Sequence, residues 1–451
     1  MPRKVFVHTF GCQMNESDSS RMVESLSRES FVRTESPDDA DLILLNTCAI
    51  REKSEQKVLS ALGRYRPHKL SRGARIAVGG CVAQQEKDRL LKKVPYLDFV
   101  FGPDQVTRLP EILRTVEAEK TRVAETAWVD SEEYVFPRAD PEFARGHVAA
   151  FVTVMKGCDN VCAFCVVPHT RGREVSRPAA EVLAEVRSVA AVGVREVTLV
   201  GQNVNSYVGG VSFARLLLDV ARVDGIERVR FTTSHPHDLS DELIEAFVAE
   251  PKLMPHFHLP VQSGSDEILK RMRRDYTVAW YLDRLARLRA ARPGIAVTTD
   301  IIVGYPGETD ADYEKTVALM ETVRYDNAYT FVFSPRPKTA ALRHLHEWGE
   351  VPRDVGVARL ERIQAIVRDH SLAAHRAVVG REVEVLVEGP SRFDETKRFG
   401  RTPENRVVNF EGTAAAGDTV RVEIVSVTAN ALFGKEAGGA ARTSARLPVV
   451  G

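Results

Sequence analysis

Along the first hundred residues, short apolar runs alternate with polar, helix-like stretches. KVFVHTF (4–10), DLILLNT (41–47), RIAVGG (75–80) and LDFVFG (97–102) have the length and composition of strands, and ESDSSRMVESLSRES and REKSEQKVLSALGRY between them suit helices. That order predicts βα units and a parallel sheet. A second series starts near residue 148, with HVAAFVTVMKG, REVTLVGQN, RVRFTTSHP, FHLPVQSG, IAVTTDIIVG and NAYTFVFSP as strands. Helices are expected between them, including RPAAEVLAEVRSVAAV with Ser176 as its N-cap and one long helix over DEILKRMRRDYTVAWYLDRLARLRAA. Six βα units predict a partial (βα)6 barrel with its chemistry on the loops after the strands. From Gly380 the period shortens to REVEVLVEG, ENRVVNFEG and DTVRVEIVSV, which predicts a small β-barrel.

The fold class is therefore α/β. The expected parts are an N-terminal parallel α/β domain (1–120), a linker (121–146), the partial barrel (147–378), a small β-barrel (379–440) and a disordered tail (441–451). The two αβ series differ in length and cysteine spacing, so they do not read as duplicates.

Composition changes the picture mainly by exclusion. The chain has 451 residues, 44% of them apolar and 27% charged, as in an ordinary folded protein. Lys plus Arg equals Asp plus Glu, 62 against 62, so contact with nucleic acid has to come from a local patch. No apolar run reaches the roughly 18 residues of a membrane span, and the start MPRKVFVHTFGC turns polar too early for a signal peptide. A cytoplasmic protein is expected, with thiols kept reduced. Its six cysteines then point to metal or redox work rather than disulfides.

Three of them lie in KGCDNVCAFCVVPHTRG (156–172), as Cys158, Cys162 and Cys165. With His169 they could close a zinc site, although zinc ligands usually come from two separated knuckles. A four-iron cluster takes one thiolate per iron, so three cysteines leave one iron open for a small molecule. Cys12, Cys48 and Cys81 each follow one of the first three strands of the N-terminal domain. The carboxyl ends of parallel strands share one edge, so residues far apart in sequence can meet there; three separately buried cysteines are the plainer alternative.

The C-x3-C-x2-C spacing after the first strand of a barrel resembles the radical S-adenosylmethionine enzymes. TFGCQMNESDSS, LNTCAIREKSEQK, GGCVAQ, GCDNVCAFCVVPHTRGREVSRP, LVGQNVNSY, LPVQSGSD, DIIVGYPGET and GRTPENRVVNFEG together resemble the methylthiotransferases, over about residues 4 to 435. VVPHTRGREVSRP and RTPENRVVNFEG are most similar to the branch that makes 2-methylthio-N6-isopentenyladenosine at position 37 of tRNA. The chain departs from the usual pattern at His169, where the family often has Tyr, and at Lys338-Thr339, where Gly-Thr is usual.

The resemblance implies two 4Fe–4S clusters, one on Cys158, Cys162 and Cys165 that cleaves S-adenosylmethionine, and one on Cys12, Cys48 and Cys81 that carries sulfur. It implies that one S-adenosylmethionine donates a methyl group and a second yields the radical that activates C2 of the adenine. Contacts to S-adenosylmethionine are expected from Gly201, Gln202, Asn203, Ser263, Gly304 and Glu308, and no catalytic residue beyond the cluster ligands. The C-terminal barrel resembles the TRAM domain and implies RNA contact through Arg392, Lys397, Arg398, Arg401 and Arg406, with Phe393, Phe399 and Asn405 among them. Implied partners are a tRNA bearing isopentenyladenosine, an electron donor such as flavodoxin or ferredoxin, and a supplier of sulfur or cluster. A monomer away from membranes is expected. The competing readings are a methylthiotransferase for threonylcarbamoyladenosine or a ribosomal aspartate, and a non-catalytic zinc protein that binds RNA.

Overall fold

A computed structural model describes residues 2–11, 13–49, 54–137, 139, 141–392 and 394–438. Cys12, Phe393 and the tail expected to be disordered lie outside the described residues. The first domain is a six-stranded parallel sheet of β1 (Arg3–Thr9), β2 (Phe31–Arg33), β3 (Leu42–Thr47), β4 (Arg75–Gly80), β5 (Phe99–Phe101) and β6 (Val123–Glu125), ordered 2-1-3-4-5-6. Its central strand LILLNT is buried throughout because helices cover both faces. Leu42 and Leu44 pack with Met22, Leu26 and Leu113 on one side, and Ile43 and Leu45 with Val58 and Leu62 on the other. β6 pairs with β5 and so extends the sheet past residue 120, into the stretch expected to be a linker; three residues are too few to show alternation.

The second domain has β7 (Ala149–Thr153), a short ribbon of β8 (Met155–Lys156) with β9 (Val175–Ser176), then β10 (Glu196–Val200), β11 (Arg228–Phe231), β12 (His256–His258), β13 (Ala296–Val303) and β14 (Asn327–Val332). Two parallel three-stranded sheets, β7-β10-β11 and β12-β13-β14, meet where Val229 bridges to Leu253. Period-two alternation gives the curved wall two faces. Val197, Leu199, Val229, Phe231, Phe257, Val297 and Ile301 join the core beneath the helices, and the alternate residues face the inside of the partial barrel.

Two local expectations are corrected. Ser176 is a strand residue whose hydroxyl accepts from the Val208 amide, and the next helix, Ala179–Ala191, enters from Pro178, whose ring sets the backbone angle without a side-chain cap. The long helix over 266–291 is two helices, Asp266–Arg271 and Val278–Ala291. They are separated by a turn in which Arg273 takes a positive φ of 56° and by Thr277, whose hydroxyl caps the second helix.

Helix Arg353–Arg376 crosses β14 and leads into a closed five-stranded barrel of β15 (Glu382–Pro390), β16 (Arg398–Arg401), β17 (Val407–Glu411), β18 (Thr419–Val427) and β19 (Leu432–Glu436). It docks on the inner wall of the partial barrel. Arg230 donates to the Thr402 and Pro403 carbonyls at 2.9 and 2.7 Å while pairing with buried Glu196, and Arg228 donates to the Arg401 carbonyl and pairs with Glu384. Among the described residues no helix is long and apolar enough to cross a membrane.

Candidate active site

The N-terminal sheet and the partial barrel meet along helix Gln13–Ser27. Its Ser17 bonds Thr153 at 3.0 Å, and its Arg21 pairs with Glu185, which also holds Arg177 at 2.6 Å. Cys81 of the N-terminal sheet meets Val166 and Arg171, which continue the barrel's cysteine loop, across this seam.

Backbone contacts fix the cysteine loop of the barrel. Gly157 has a φ of 73°, and a Cβ there would lie 1.9 Å from the Arg173 carbonyl, so only glycine fits. The Cys158 amide donates to Gly172, the Ala163 amide to Met272, and the Ala341 amide to the Ala163 carbonyl. Burial pushes the Cys158 thiol up to about 11 and the Cys165 thiol to about 12, with the nearby Cys162 adding to both. Such thiols ionise at neutral pH when a cation takes the proton's place, which iron does. No group of three or more Cys, His, Asp or Glu among the described residues converges on a single metal-ion position. A four-iron cluster does not ask for that, since each thiolate meets its own iron. The donor set therefore fits such a cluster.

On the other side of the seam, Cys48 follows β3 and Cys81 follows β4, both buried. The strand ends are tied by side chains. Asn46 donates to the Asn15 carbonyl and to Ser19, and Thr47 donates to the Gly79 carbonyl and accepts from the Val82 amide. Gly80, with φ 90°, lets Cys81 start its helix where a Cβ would lie 2.5 Å from the Thr47 carbonyl. Gly11 sits directly against Cys48, where a Cβ would lie 2.4 Å from that of the cysteine, so the chain next to position 12 touches Cys48.

The two groups are joined by a short helix, Val167–Arg171, that begins two residues after Cys165. It carries Arg171 across the seam, where Nε donates to Cys81 Sγ at 3.2 Å and the guanidinium pairs with Asp18 at 2.7 Å and bonds Asn15. Val166 packs with Ala49, Cys81 and Val82. A second arginine serves the other group. The break after Arg271 turns Arg274 inward, where it donates to Cys162 Sγ at 3.4 Å, to Tyr276 at 2.9 Å and to the Pro260 carbonyl at 2.9 Å. Below the loop, buried Lys156 is held by both oxygens of Asp104 at 2.7 Å and lies over the Tyr134 ring. Sequence reasoning missed all three side chains. For Arg171 a signal was present, a basic residue shortly after the last cysteine of the motif; for Arg274 and Lys156 no spacing pointed to a thiol.

The residues expected to contact S-adenosylmethionine lie in the segments after β10, β12 and β13, and Gln202 among them touches the cysteine loop. Gln202 accepts from the Gly157 amide, and Gly201 packs so tightly that a Cβ would lie 2.4 Å from Met155. Asn203 donates to Asp238 at 2.7 Å, while its own Oδ1 is buried with no protein partner. Ser234 Oγ and His235 Nε2 nearby are likewise buried and unpartnered. Burial holds His235 neutral, down at about 2, and its ring lies 5.8 Å from that of Tyr276. Ser263 accepts from the Ser265 amide and bonds Thr316. Glu308 accepts from the Gly304 amide at 2.7 Å and from Arg359 at 2.6 Å, with its other oxygen unpartnered.

In the C-terminal barrel, Arg392 is exposed and lies close enough to Glu16 to oppose the rise that burial causes in that carboxyl. Arg392 thus lies on the side of the C-terminal barrel nearest Glu16 of helix Gln13–Ser27. Lys397 pairs with Asp394, Arg401 with Glu388, and Arg406 with Asp326 at 3.1 Å, while Arg398 lies in β16.

Three families match in succession: Uncharacterized protein family UPF0004 over residues 4–102, the Radical SAM superfamily over 152–320 and the TRAM domain over 376–435. Among solved structures, the radical S-adenosylmethionine methyltransferase TsrM from Kitasatospora setae matches with a TM-score of 0.58 at 16% identity, over 77% of this chain and 75% of that one. That likeness concerns the fold. Among curated relatives, the tRNA-2-methylthio-N(6)-dimethylallyladenosine synthase of Myxococcus xanthus is 68% identical over 96% of this chain and 94% of its own length. The enzyme of the same name from Geobacter metallireducens is 49% identical, over 96% and 98%. With its three domains in this order and with Arg171, beside the cysteine loop of the barrel, bonded to Cys81 of the N-terminal sheet, the chain belongs to the tRNA-2-methylthio-N6-dimethylallyladenosine synthase family of radical S-adenosylmethionine enzymes.

Proposed function

We infer that this chain places a methylthio group on C2 of N6-dimethylallyladenosine at position 37 of tRNA, as a radical S-adenosylmethionine transferase with two 4Fe–4S clusters. The observation that carries the reading is Arg171, which starts from the loop of one cysteine site and ends on a cysteine of the other. The target C2–H has no acidic proton, so a side-chain base could not activate it. When bound, the clusters and S-adenosylmethionine supply single electrons, a radical able to take that hydrogen, and the sulfur and methyl group.

The chain's own residues bind, orient and exclude water. Cys158, Cys162 and Cys165 would hold one cluster with an iron left open, and Cys12, Cys48 and Cys81 the other. Arg274 and Arg171 would donate to thiolate sulfur in each, which favours the negative form of the ligand. The unpartnered groups of Asn203, Ser234 and His235 are suited to a polar ligand, since a buried unpaired polar atom costs about 1–3 kcal/mol. Gly201 and Gln202 would shape the same rim, and Ser263, Gly304 and Glu308 its far side. Arg392, Lys397, Arg398, Arg401 and Arg406 would meet RNA phosphates. A cytoplasmic monomer served by a flavodoxin- or ferredoxin-type donor and by a separate sulfur supplier completes the proposal.

The test is mass spectrometry of nucleosides from a dimethylallylated tRNA incubated with anaerobically reconstituted protein, S-adenosylmethionine and reductant. A new 2-methylthio-N6-dimethylallyladenosine peak supports the reading. Formation of 5'-deoxyadenosine without that peak would move the target to threonylcarbamoyladenosine or a ribosomal aspartate.

A further inference from the structure

Among the described residues, the largely exposed aromatic side chains are Trp128, Tyr329 and Phe331, and two of the three lie on one face of one strand. Tyr329 is 57% exposed and Phe331 42%. The face can be assigned from the alternate residues of β14. Val332 packs against Gly356 of helix Arg353–Arg376, and Thr330 bonds Gln364 of the same helix, so even-numbered residues look outward to the helix. Tyr329, Phe331 and Phe333 therefore look into the partial barrel. In register beside them on β13 stand Asp300, opposite Tyr329, and Ile302, opposite Phe331. His258 lies edge-on to Tyr329 with ring centres 5.9 Å apart and meets Asp300 at 3.5 Å.

An exposed aromatic pair costs solubility unless something covers it in use. Both ends of this strand identify the cover. At its start, Asp326 is held by Arg406 of the TRAM barrel. At its far end, Phe333 packs on Tyr305 with ring centres 5.1 Å apart and joins a cluster with Phe164, which lies between Cys162 and Cys165. The aromatic face thus runs from the RNA-binding module to the cysteine loop. On the other sheet the inward residues Glu196, Arg228 and Arg230 are buried and bonded to one another and to the C-terminal barrel, so an apolar group entering the interior has cover on the β14 side.

We propose that Tyr329 and Phe331 seat the dimethylallyladenine base of the substrate, the rings covering its flat purine and branched five-carbon tail. Asp300, with 28% of its side chain exposed, offers an acceptor to the remaining N6–H. This rests on the function inferred above and assigns the preference for an already dimethylallylated adenosine to two residues. Stacking on an aromatic ring holds either base, and burial of the branched alkyl group favours the modified one by about tenfold or more.

The test is fluorescence anisotropy of two labelled anticodon stem-loops, with adenosine or N6-dimethylallyladenosine at position 37. They are titrated with the full-length reconstituted protein in the presence of S-adenosylmethionine. The wild type is expected to prefer the modified RNA about tenfold, Tyr329→Ser and Phe331→Ser to cut that preference to about twofold or less, and Tyr329→Phe to keep it. A serine variant that does not fold binds neither RNA, and Tyr329→Leu, which keeps apolar surface without the flat ring, then takes its place. Serine variants that retain the full preference overturn the proposal. So does a wild type without preference that still forms the methylthio product, an outcome that leaves the inferred function standing; no preference and no product removes both. Concentration-dependent self-association that disappears in Tyr329→Ser would assign the face to a second copy of the chain and also overturn it.

Discussion

The two cysteine groups are built in opposite ways. Cys158, Cys162 and Cys165 share one loop shaped by a single glycine and a few backbone hydrogen bonds, and a short peptide contains the whole set. Cys48 and Cys81 are separate residues at the ends of β3 and β4, and their relative position depends on a six-stranded sheet, the Asn46 and Thr47 side chains, and an arginine from another domain. A local motif can be kept while its surroundings change. A dispersed one exists only when the fold is complete, so it should be the more easily lost.

The largest expected effect separates the two by chemistry. Cys162→Ala should abolish formation of 5'-deoxyadenosine, whereas Cys48→Ala should keep that cleavage and lose the methylthio product, both read by chromatography and mass spectrometry. Equal loss of cleavage in two folded variants would break the division of labour. Next come the glycines that shape each site. Gly157→Ala and Gly80→Ala both force a side chain onto a carbonyl oxygen at positive φ. Each should lower iron from about eight to about four per chain. Cleavage of S-adenosylmethionine should survive only in the Gly80 variant.

A smaller effect concerns the bridge. Arg171→Met leaves buried Asp18 without its cation, and unfolding in denaturant should show a loss of about 3–5 kcal/mol. Arg274→Met has no carboxylate to strand, as its partners are Tyr276, a carbonyl and Cys162, and should cost less. Similar losses for the two would mean that the seam contributes little. The smallest effect belongs to the barrel alone. Burial alone would raise the Asp312 carboxyl, but hydrogen bonds from Ser265, Thr309 and Lys315 outweigh it and hold the group down at about 2. A depressed carboxyl contributes stability that is present above its ordinary value near ~4 and lost as pH falls toward about 2. Asp312→Asn should therefore flatten the loss of thermal stability between those limits.

Much of this architecture could be read from the chain because its strands are long or fully apolar. LILLNT, AVTTDIIV and three strands of the C-terminal barrel, β15, β17 and β18, announce themselves by pattern. The strands that escaped notice are short: β2 and β6 at the edges of the first sheet, β9 in the ribbon beside the cysteine loop, and β16 and β19, which close the last barrel. Two to five residues, one of them glycine in each of β16 and β19, carry no usable periodicity. The cysteine spacing was equally direct. What surrounds the cysteines was not, because Arg274 reaches Cys162 only through a break in what looks like one continuous helix, set by Arg273 and Thr277. Tyr329 and Phe331 were placed in a strand correctly, but strand pattern alone does not say which face remains uncovered.

The contact between Arg171 and Cys81 spans ninety residues of sequence, and that interval is also one of time. During synthesis the N-terminal sheet leaves the ribosome first, with Asp18 awaiting its counter-ion until residue 171 has been made. At about 5–20 residues per second that wait lasts roughly 8–30 seconds. The dispersed cysteine site is thus the first to be translated, yet it gains its arginine only after the cysteine loop of the barrel has been made.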